Sequence, residues 1–166
     1  MLPPSPVQPG QVEKELPGTP SNGRLGSFET PNFLKILARS PAASRAYQRA
    51  ERVLAKGRLS KRNREQIALA VAEINGSEHC LEAHSVMGRL AGLTGEEIES
   101  ARRAAAADPR ADQMLRFTQS MVLQRGEISD ADLGALRSAG FSDAEVIEII
   151  ANIALNVFSN YLNILV

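Results

Sequence analysis

Apolar residues recur from Thr30 onward with the 3.6-residue period of helices, and no stretch alternates in the manner of a strand. We therefore expect an all-α fold of about seven to eight helices over residues 29–166. Breaks at Pro41, Gly57 and Asn75-Gly76 place the first three helices at about 30–40, 42–56 and 60–75. Residues 67–72 of the third helix are apolar around most of its circumference, which predicts a buried, central helix.

Capping signals mark the helices of the second half of the chain. A fourth helix is predicted at about 78–90 and another at about 110–125. Three further helices are predicted by capping boxes, in which a Ser or Thr precedes an acidic residue by three positions. These boxes are Thr94 with Glu97, Ser129 with Asp132, and Ser142 with Glu145.

The last predicted helix, about 143–165, raises the question of a membrane span, because residues 146–166 contain one charge, Glu148. The helix begins with a capping box and carries Asn152, Asn156, Asn160 and Asn163 in one stripe. A membrane span is therefore not expected. Buried amides need partners, so the stripe should face solvent, other helix ends or a subunit contact.

Residues 1–28 differ in composition from the rest, with six of the nine prolines and four of the 12 glycines. They contain few large apolar residues, which predicts a flexible tail. The tail is either a leader without function or an arm that wraps around a neighbouring subunit.

Composition and charge exclude several classes of protein. The chain has 166 residues, 43% of them hydrophobic, which fits one soluble domain with a substantial core. Its 19 basic residues balance its 19 acidic residues, so neither nucleic acid nor an anionic membrane is an expected partner. A single cysteine and the lack of a signal-peptide pattern in residues 1–9 suit a cytoplasmic protein.

The only cysteine and both histidines lie together at the start of the fourth predicted helix. If Ser77 caps this helix, Cys80 occupies its third position, where unpaired N–H groups and the helix dipole stabilise a thiolate. His79 would add to this effect when protonated. His84 lies one turn after Cys80 on the same face, within reach as a proton acceptor or donor. The arrangement is typical of a reactive thiol.

A carboxylate on the preceding helix completes the candidate site. Glu65 lies 11 residues before Gly76 and His84 lies eight residues after it. Two antiparallel helices joined at this turn would place them about 16 and 12 Å from it, so the two side chains can meet. Small apolar residues on the face of Glu65 bring the helices close and desolvate the carboxylate. We predict that Glu65 orients His84, which exchanges a proton with Cys80 directly or through water.

Each of these residues also has a purely structural interpretation. A lone cysteine is most often an inert buried residue, His79 could be a surface histidine, and Glu65 a solvated glutamate near a helix start. A metal site formed by His79, Cys80 and His84 is not expected, because positions 79 and 84 diverge by about 140° around a helix. No cofactor is expected.

The chain resembles the alkylhydroperoxidase D-like (AhpD-like) branch of the carboxymuconolactone decarboxylase family. The redox motif of that family is Glu, eleven residues, Cys-x-His-Cys, three residues, His. Glu65, His79, Cys80 and His84 match this motif, whereas Ser77 replaces the first cysteine. The flanking sequence is also similar, at residues 31–33, 40–43, 64–65 and 139–145, so the resemblance covers about residues 30–165.

The resemblance implies an AhpD-like helical bundle that forms trimers or hexamers and reduces peroxides with two thiols. Cys80 would be the thiol that attacks the peroxide, and Glu65, His79 and His84 would relay protons. Ser77 cannot resolve the product as a disulfide. Cys80 would therefore stop at the sulfenic acid and need an external thiol or thiol protein as reductant.

The leading hypothesis is accordingly a cytoplasmic alkylhydroperoxidase-like antioxidant protein that acts through Cys80. One alternative is lactone decarboxylation, the chemistry of the other branch of the family, which would not need the thiol. A third hypothesis is a redox-silent oligomeric binding or sensing module. The sequence also leaves open whether Ser77 is native or stands in for an exchanged cysteine.

Overall fold

The computed structural model describes residues 32–165, except for the side chains of Asn32 and Ile164. These residues form eight α-helices and no strand, which confirms the all-α prediction. The helices are α1 (Asn32–Leu37), α2 (Pro41–Leu54), α3 (Lys61–Ile74), α4 (Glu78–Leu90), α5 (Gly95–Arg102), α6 (Pro109–Leu123), α7 (Asp130–Ser138) and α8 (Asp143–Leu162), followed by a 3-10 helix, Asn163–Leu165. The predicted tail, residues 1–28, and the predicted start of the first helix at about residue 30 lie outside the described residues.

Side-chain caps fix most helix starts as the sequence predicts. All three capping boxes are present, at the starts of α5, α7 and α8, with hydrogen bonds in both directions. The first helix is shorter than predicted and ends at Leu37, because Ser40 is the N-cap of α2. Ser40 has extended backbone angles and its side chain accepts a hydrogen bond from the backbone N–H of Ala43, so it cannot continue the preceding helix.

Helix α3 is the centre of the bundle. Its residues 66–72 are all buried, and α3 packs against α4, α5, α6 and α8. Among its large apolar side chains, Ile67, Leu69 and Val71 are completely excluded from solvent. This burial confirms the prediction of a central helix and makes α3 the rigid element that positions the candidate site.

Helix α8 packs against α3 in the same core. No helix of the described residues is long and apolar enough to span a membrane. The asparagine stripe of α8 differs from the expectation, since Asn152 and Asn160 are buried within the chain and do not face solvent. The amide Nδ2 of Asn152 donates to the backbone carbonyl of Glu148, and that of Asn156 donates to the carbonyl of Asn152. These bonds within the helix satisfy the Nδ2 groups of Asn152 and Asn156, whereas the buried amide of Asn160 has no hydrogen-bond partner among the described residues. Asn163 meets another helix end, the start of α4.

Candidate functional site

The turn between α3 and α4 brings Glu65 and His84 together. Gly76 takes a left-handed backbone conformation there, with φ of 63°, and reverses the chain so that α3 and α4 pack side by side. Oε2 of Glu65 lies 2.9 Å from Nδ1 of His84. The side chains are 12% and 26% exposed, so the contact is largely shielded from water. Glu65 therefore holds one ring nitrogen of His84 and leaves Nε2 for other partners.

Cys80 lies in the first turn of α4, as predicted, and is 5% exposed. Its Sγ accepts a hydrogen bond from Nδ2 of Asn163, at 3.0 Å. The same Nδ2 donates to Oγ of Ser77, at 3.1 Å. Ser77 stands at the N-cap of α4, but its side chain makes no capping hydrogen bond. The thiol therefore lies in a buried polar cluster with one serine and one asparagine.

Other parts of the predicted relay are not in direct contact. His79 is exposed, and within the described residues its side chain makes no hydrogen bond. No hydrogen bond joins His84 to Cys80 either, although the two lie one turn apart on α4. The structure thus forms two adjacent groups, Glu65 with His84 and Cys80 with Ser77 and Asn163. The catalytic roles of these residues stay predictions.

A cavity of about 220 Å³ adjoins the Glu65 and His84 pair. Helices α2, α3, α4 and α8 line it, and most of the lining side chains are polar or charged. They include Tyr47, Glu51, Lys61, Arg64, Glu65, His84, Asn152 and Asn156. The cavity therefore presents hydrogen-bond donors and acceptors to a small polar molecule.

Tyr47 and Glu51 of α2 line this cavity, and neither was predicted as a site residue. Burial raises the pKa of the Tyr47 phenol well above its usual value, and the charge of Glu51 adds to the increase. Tyr47 is therefore a neutral hydrogen-bond donor at neutral pH. Desolvation also raises the pKa of Glu51. The charge of His84 lowers this pKa, and the charge of Glu65 raises it further.

No sequence motif marks Tyr47 or Glu51, whose only signal is their spacing of four residues on one helix face. Asn163 was also missed as a site residue, although it belongs to the predicted asparagine stripe.

The described residues contain no group of three or more His, Cys, Asp and Glu side chains that could hold a metal ion. The site instead offers a thiol, an acid–base pair and neutral donors.

Comparison with known proteins gives the site a family context. The model of the carboxymuconolactone decarboxylase family matches residues 41–120, which include Glu65, Ser77, Cys80 and His84. No protein with a curated description matches the chain.

Several solved structures are similar to this chain. An uncharacterized peroxidase-related protein from Silicibacter sp. TM1040 has 32% sequence identity and a TM-score of 0.71, over 78% of this chain and 71% of that chain. The alkylhydroperoxidase AhpD core of an uncharacterized peroxidase-related protein from Ralstonia eutropha JMP134 has 29% identity and a TM-score of 0.69, over 75% and 68% of the two chains.

A protein of unknown function from Agrobacterium tumefaciens shares the fold at 23% identity, with a TM-score of 0.69 over 77% of this chain and 90% of that chain. The family match covers the stretch from Glu65 to His84, and the relative with 32% identity shares the fold of this chain. This chain belongs to the carboxymuconolactone decarboxylase family, in its AhpD-like branch.

Proposed function

We propose that this protein is an alkylhydroperoxidase-like antioxidant enzyme that reduces small peroxides through Cys80 and regenerates the thiol with an external thiol donor. The observation that carries the proposal is the contact between Glu65 and His84, at 2.9 Å, one helical turn from the only cysteine. A reactive thiol needs such an acid–base pair to move the protons of the reaction. The names of the Silicibacter and Ralstonia relatives, both peroxidase-related, support the same chemistry.

In the proposed first step, the thiolate of Cys80 attacks the terminal oxygen of a hydroperoxide. A sulfur–oxygen bond forms, the oxygen–oxygen bond breaks, and the remaining oxygen leaves as an alkoxide, or as hydroxide if the substrate is hydrogen peroxide. His84, oriented by Glu65, returns the thiol proton to this leaving oxygen. The products are the sulfenic acid of Cys80 and an alcohol or water.

Regeneration of Cys80 consumes two equivalents of the donor thiol. The first forms a mixed disulfide with the Cys80 sulfur and releases the sulfenic oxygen as water. The second attacks the donor sulfur of that disulfide, so that Cys80 returns to a thiol and the donor leaves as its own disulfide. Ser77 takes no part in electron transfer, because a hydroxyl cannot form a disulfide.

The dimensions of the site favour small peroxides. The cavity beside His84 has a volume of about 220 Å³, below the range typical of pockets for drug-sized ligands. Its lining includes Glu65 and His84 but not Cys80, and its polar and charged side chains suit hydrogen peroxide or a short alkyl hydroperoxide better than a lipid hydroperoxide. Cys80 itself is 5% exposed, so a bulky substrate would meet more resistance than a small one.

Peroxide consumption in the presence of dithiothreitol tests the proposal. The wild-type protein should consume hydrogen peroxide and a short alkyl hydroperoxide, with one equivalent of donor disulfide formed for each peroxide reduced. Loss of peroxide at the rate of a protein-free control would contradict the proposal. That result would favour a redox-silent protein in which Cys80 is a buried structural residue.

A further inference from the structure

The amide of Asn163 connects the end of the chain to the thiol site. Asn163 follows the last residue of α8 and begins the 3-10 helix, 83 positions after Cys80. Its Nδ2 carries two N–H groups, and the two acceptors within hydrogen-bond distance are Sγ of Cys80 and Oγ of Ser77. Both hydrogens of the Asn163 amide are therefore donated to side chains at the start of α4.

This geometry leaves the hydroxyl hydrogen of Ser77 available. Oγ of Ser77 accepts from Asn163, and the side chain makes no capping bond to α4. Because a hydroxyl both accepts and donates, Ser77 can donate to an oxygen atom that forms on the neighbouring Cys80 sulfur. Ser77 is 9% exposed and Cys80 5% exposed, so water competes little for these bonds.

We propose that Asn163 is a positioning residue for Cys80, and that Asn163 and Ser77 together hold the sulfenic acid of Cys80 in place of a resolving cysteine. N–H and O–H donors bind an anionic sulfur or oxygen more strongly than a neutral one. The pair therefore stabilises the thiolate before the reaction and the sulfenate after it. The same hydrogen bonds draw electron density from the sulfenate and make its sulfur a weaker nucleophile, which slows the reaction with a second peroxide, in which the sulfenic acid gains another oxygen to form a sulfinic acid and an alcohol or water leaves.

The first test measures the thiol and is independent of peroxidase activity. The rate of alkylation of Cys80 by iodoacetamide is followed against pH for the wild type, Asn163→Ala and Asn163→Asp. The pH of half-maximal rate should rise in Asn163→Ala and rise further in Asn163→Asp, where a carboxylate replaces the donor. Leu165→Ala, an exposed position of the same 3-10 helix, is the matched control and should leave the profile unchanged.

The second test measures oxidation of the full chain by one equivalent of hydrogen peroxide. Sulfenic acid is trapped with dimedone, and the ratio of trapped product to sulfinic acid is read by mass spectrometry. This ratio should fall several-fold in Asn163→Ala and in Ser77→Ala. Ser77→Ala removes one partner without changing Asn163, so it keeps the test valid if the Asn163 variants unfold.

This inference rests on the proposed function, but the two can fail separately. An Asn163→Asp protein with the wild-type alkylation profile would overturn the role of Asn163, even if the wild type turns over peroxide. An unchanged trapping ratio in both alanine variants would overturn the role of the pair. If the alkylation profile shifts but the wild type consumes no peroxide, Asn163 positions the thiol and the proposed peroxidase function is wrong.

Discussion

Glu65→Gln perturbs the acid–base pair with little change in shape. Glutamine keeps the size of the side chain and one oxygen near Nδ1 of His84, but removes the negative charge that lies 2.9 Å from the ring. Glu65 should therefore matter to the orientation of His84 more than to folding. The expected result is a protein that folds normally and reduces peroxide slowly.

The structure sets the size of the expected effect. Hydrogen bonds to charged groups contribute about 1.5–3 kcal/mol. The side chains of Glu65 and His84 are 12% and 26% exposed, so some screening by water remains and the lower half of that range applies. A loss of about 1.5–2 kcal/mol of transition-state stabilisation corresponds to a decrease of about 10- to 30-fold in kcat/KM.

The assay is the initial rate of hydrogen peroxide loss with dithiothreitol as donor. Glu73→Gln is the matched control, because Glu73 also lies on α3 and forms an ion pair with Arg102, with Oε2 2.6 Å from Nε, outside the cavity. Glu73→Gln should retain the wild-type rate within about twofold, since exposed ion pairs contribute little. A Glu65→Gln rate as high as that of Glu73→Gln, in a folded protein, would refute the reasoning.

Three further predictions concern stability and the missing cysteine. Leu69→Ala leaves a cavity at the centre of α3, where Leu69 is completely buried, and should lower the free energy of unfolding in urea by about 2–5 kcal/mol. The backbone N–H of Ser142, the Ser142 hydroxyl and Arg110 lower the pKa of Glu145 from 4.5 to about 2, so its stabilising effect is present above pH 4.5 and is lost between pH 4.5 and 2. Glu145→Gln should therefore be about 1–2 kcal/mol less stable than wild type at pH 7 and equally stable near pH 2, as measured by urea unfolding; a constant difference at both pH values would contradict this assignment. Ser77→Cys should form a disulfide with Cys80 under oxidant, detected as loss of two free thiols, and persistence of both thiols would show that the first turn of α4 cannot close such a bond.

The sequence predicts those parts of the fold that depend on neighbouring residues. The capping boxes at Thr94, Ser129 and Ser142 are local hydrogen-bond patterns, and all three helices begin where the boxes stand. The sequence places the end of α1 too late, at about Ser40 instead of Leu37, because it assigns Ser40 to the first helix, whereas Ser40 is the N-cap of α2. Whether Ser40 ends the first helix or caps the second depends on its backbone angles, which the helix propensity of the residue type does not determine.

In the candidate site, too, the contact between two adjacent helices could be predicted from the sequence, whereas the contacts between distant parts of the chain could not. The meeting of Glu65 with His84 followed from one turn at Gly76 and the rise per residue of two adjacent helices. The contact between Cys80 and Asn163 joins residues 83 positions apart and depends on where the 3-10 helix after α8 meets the start of α4. Tyr47 and Glu51 likewise reach the cavity only because α2 packs on α8. Periodicity gives the face of each helix but not the partner that this face meets.

The comparison of wild type with Cys80→Ser in the peroxide assay tests the central claim most directly. Serine keeps the size of the buried side chain but is not nucleophilic toward peroxides, so the variant should fold and lose peroxide reduction with dithiothreitol as donor. The account predicts measurable turnover in the wild type and the protein-free rate in Cys80→Ser. Equal turnover in the two proteins would contradict the assignment of Cys80 as the reactive thiol.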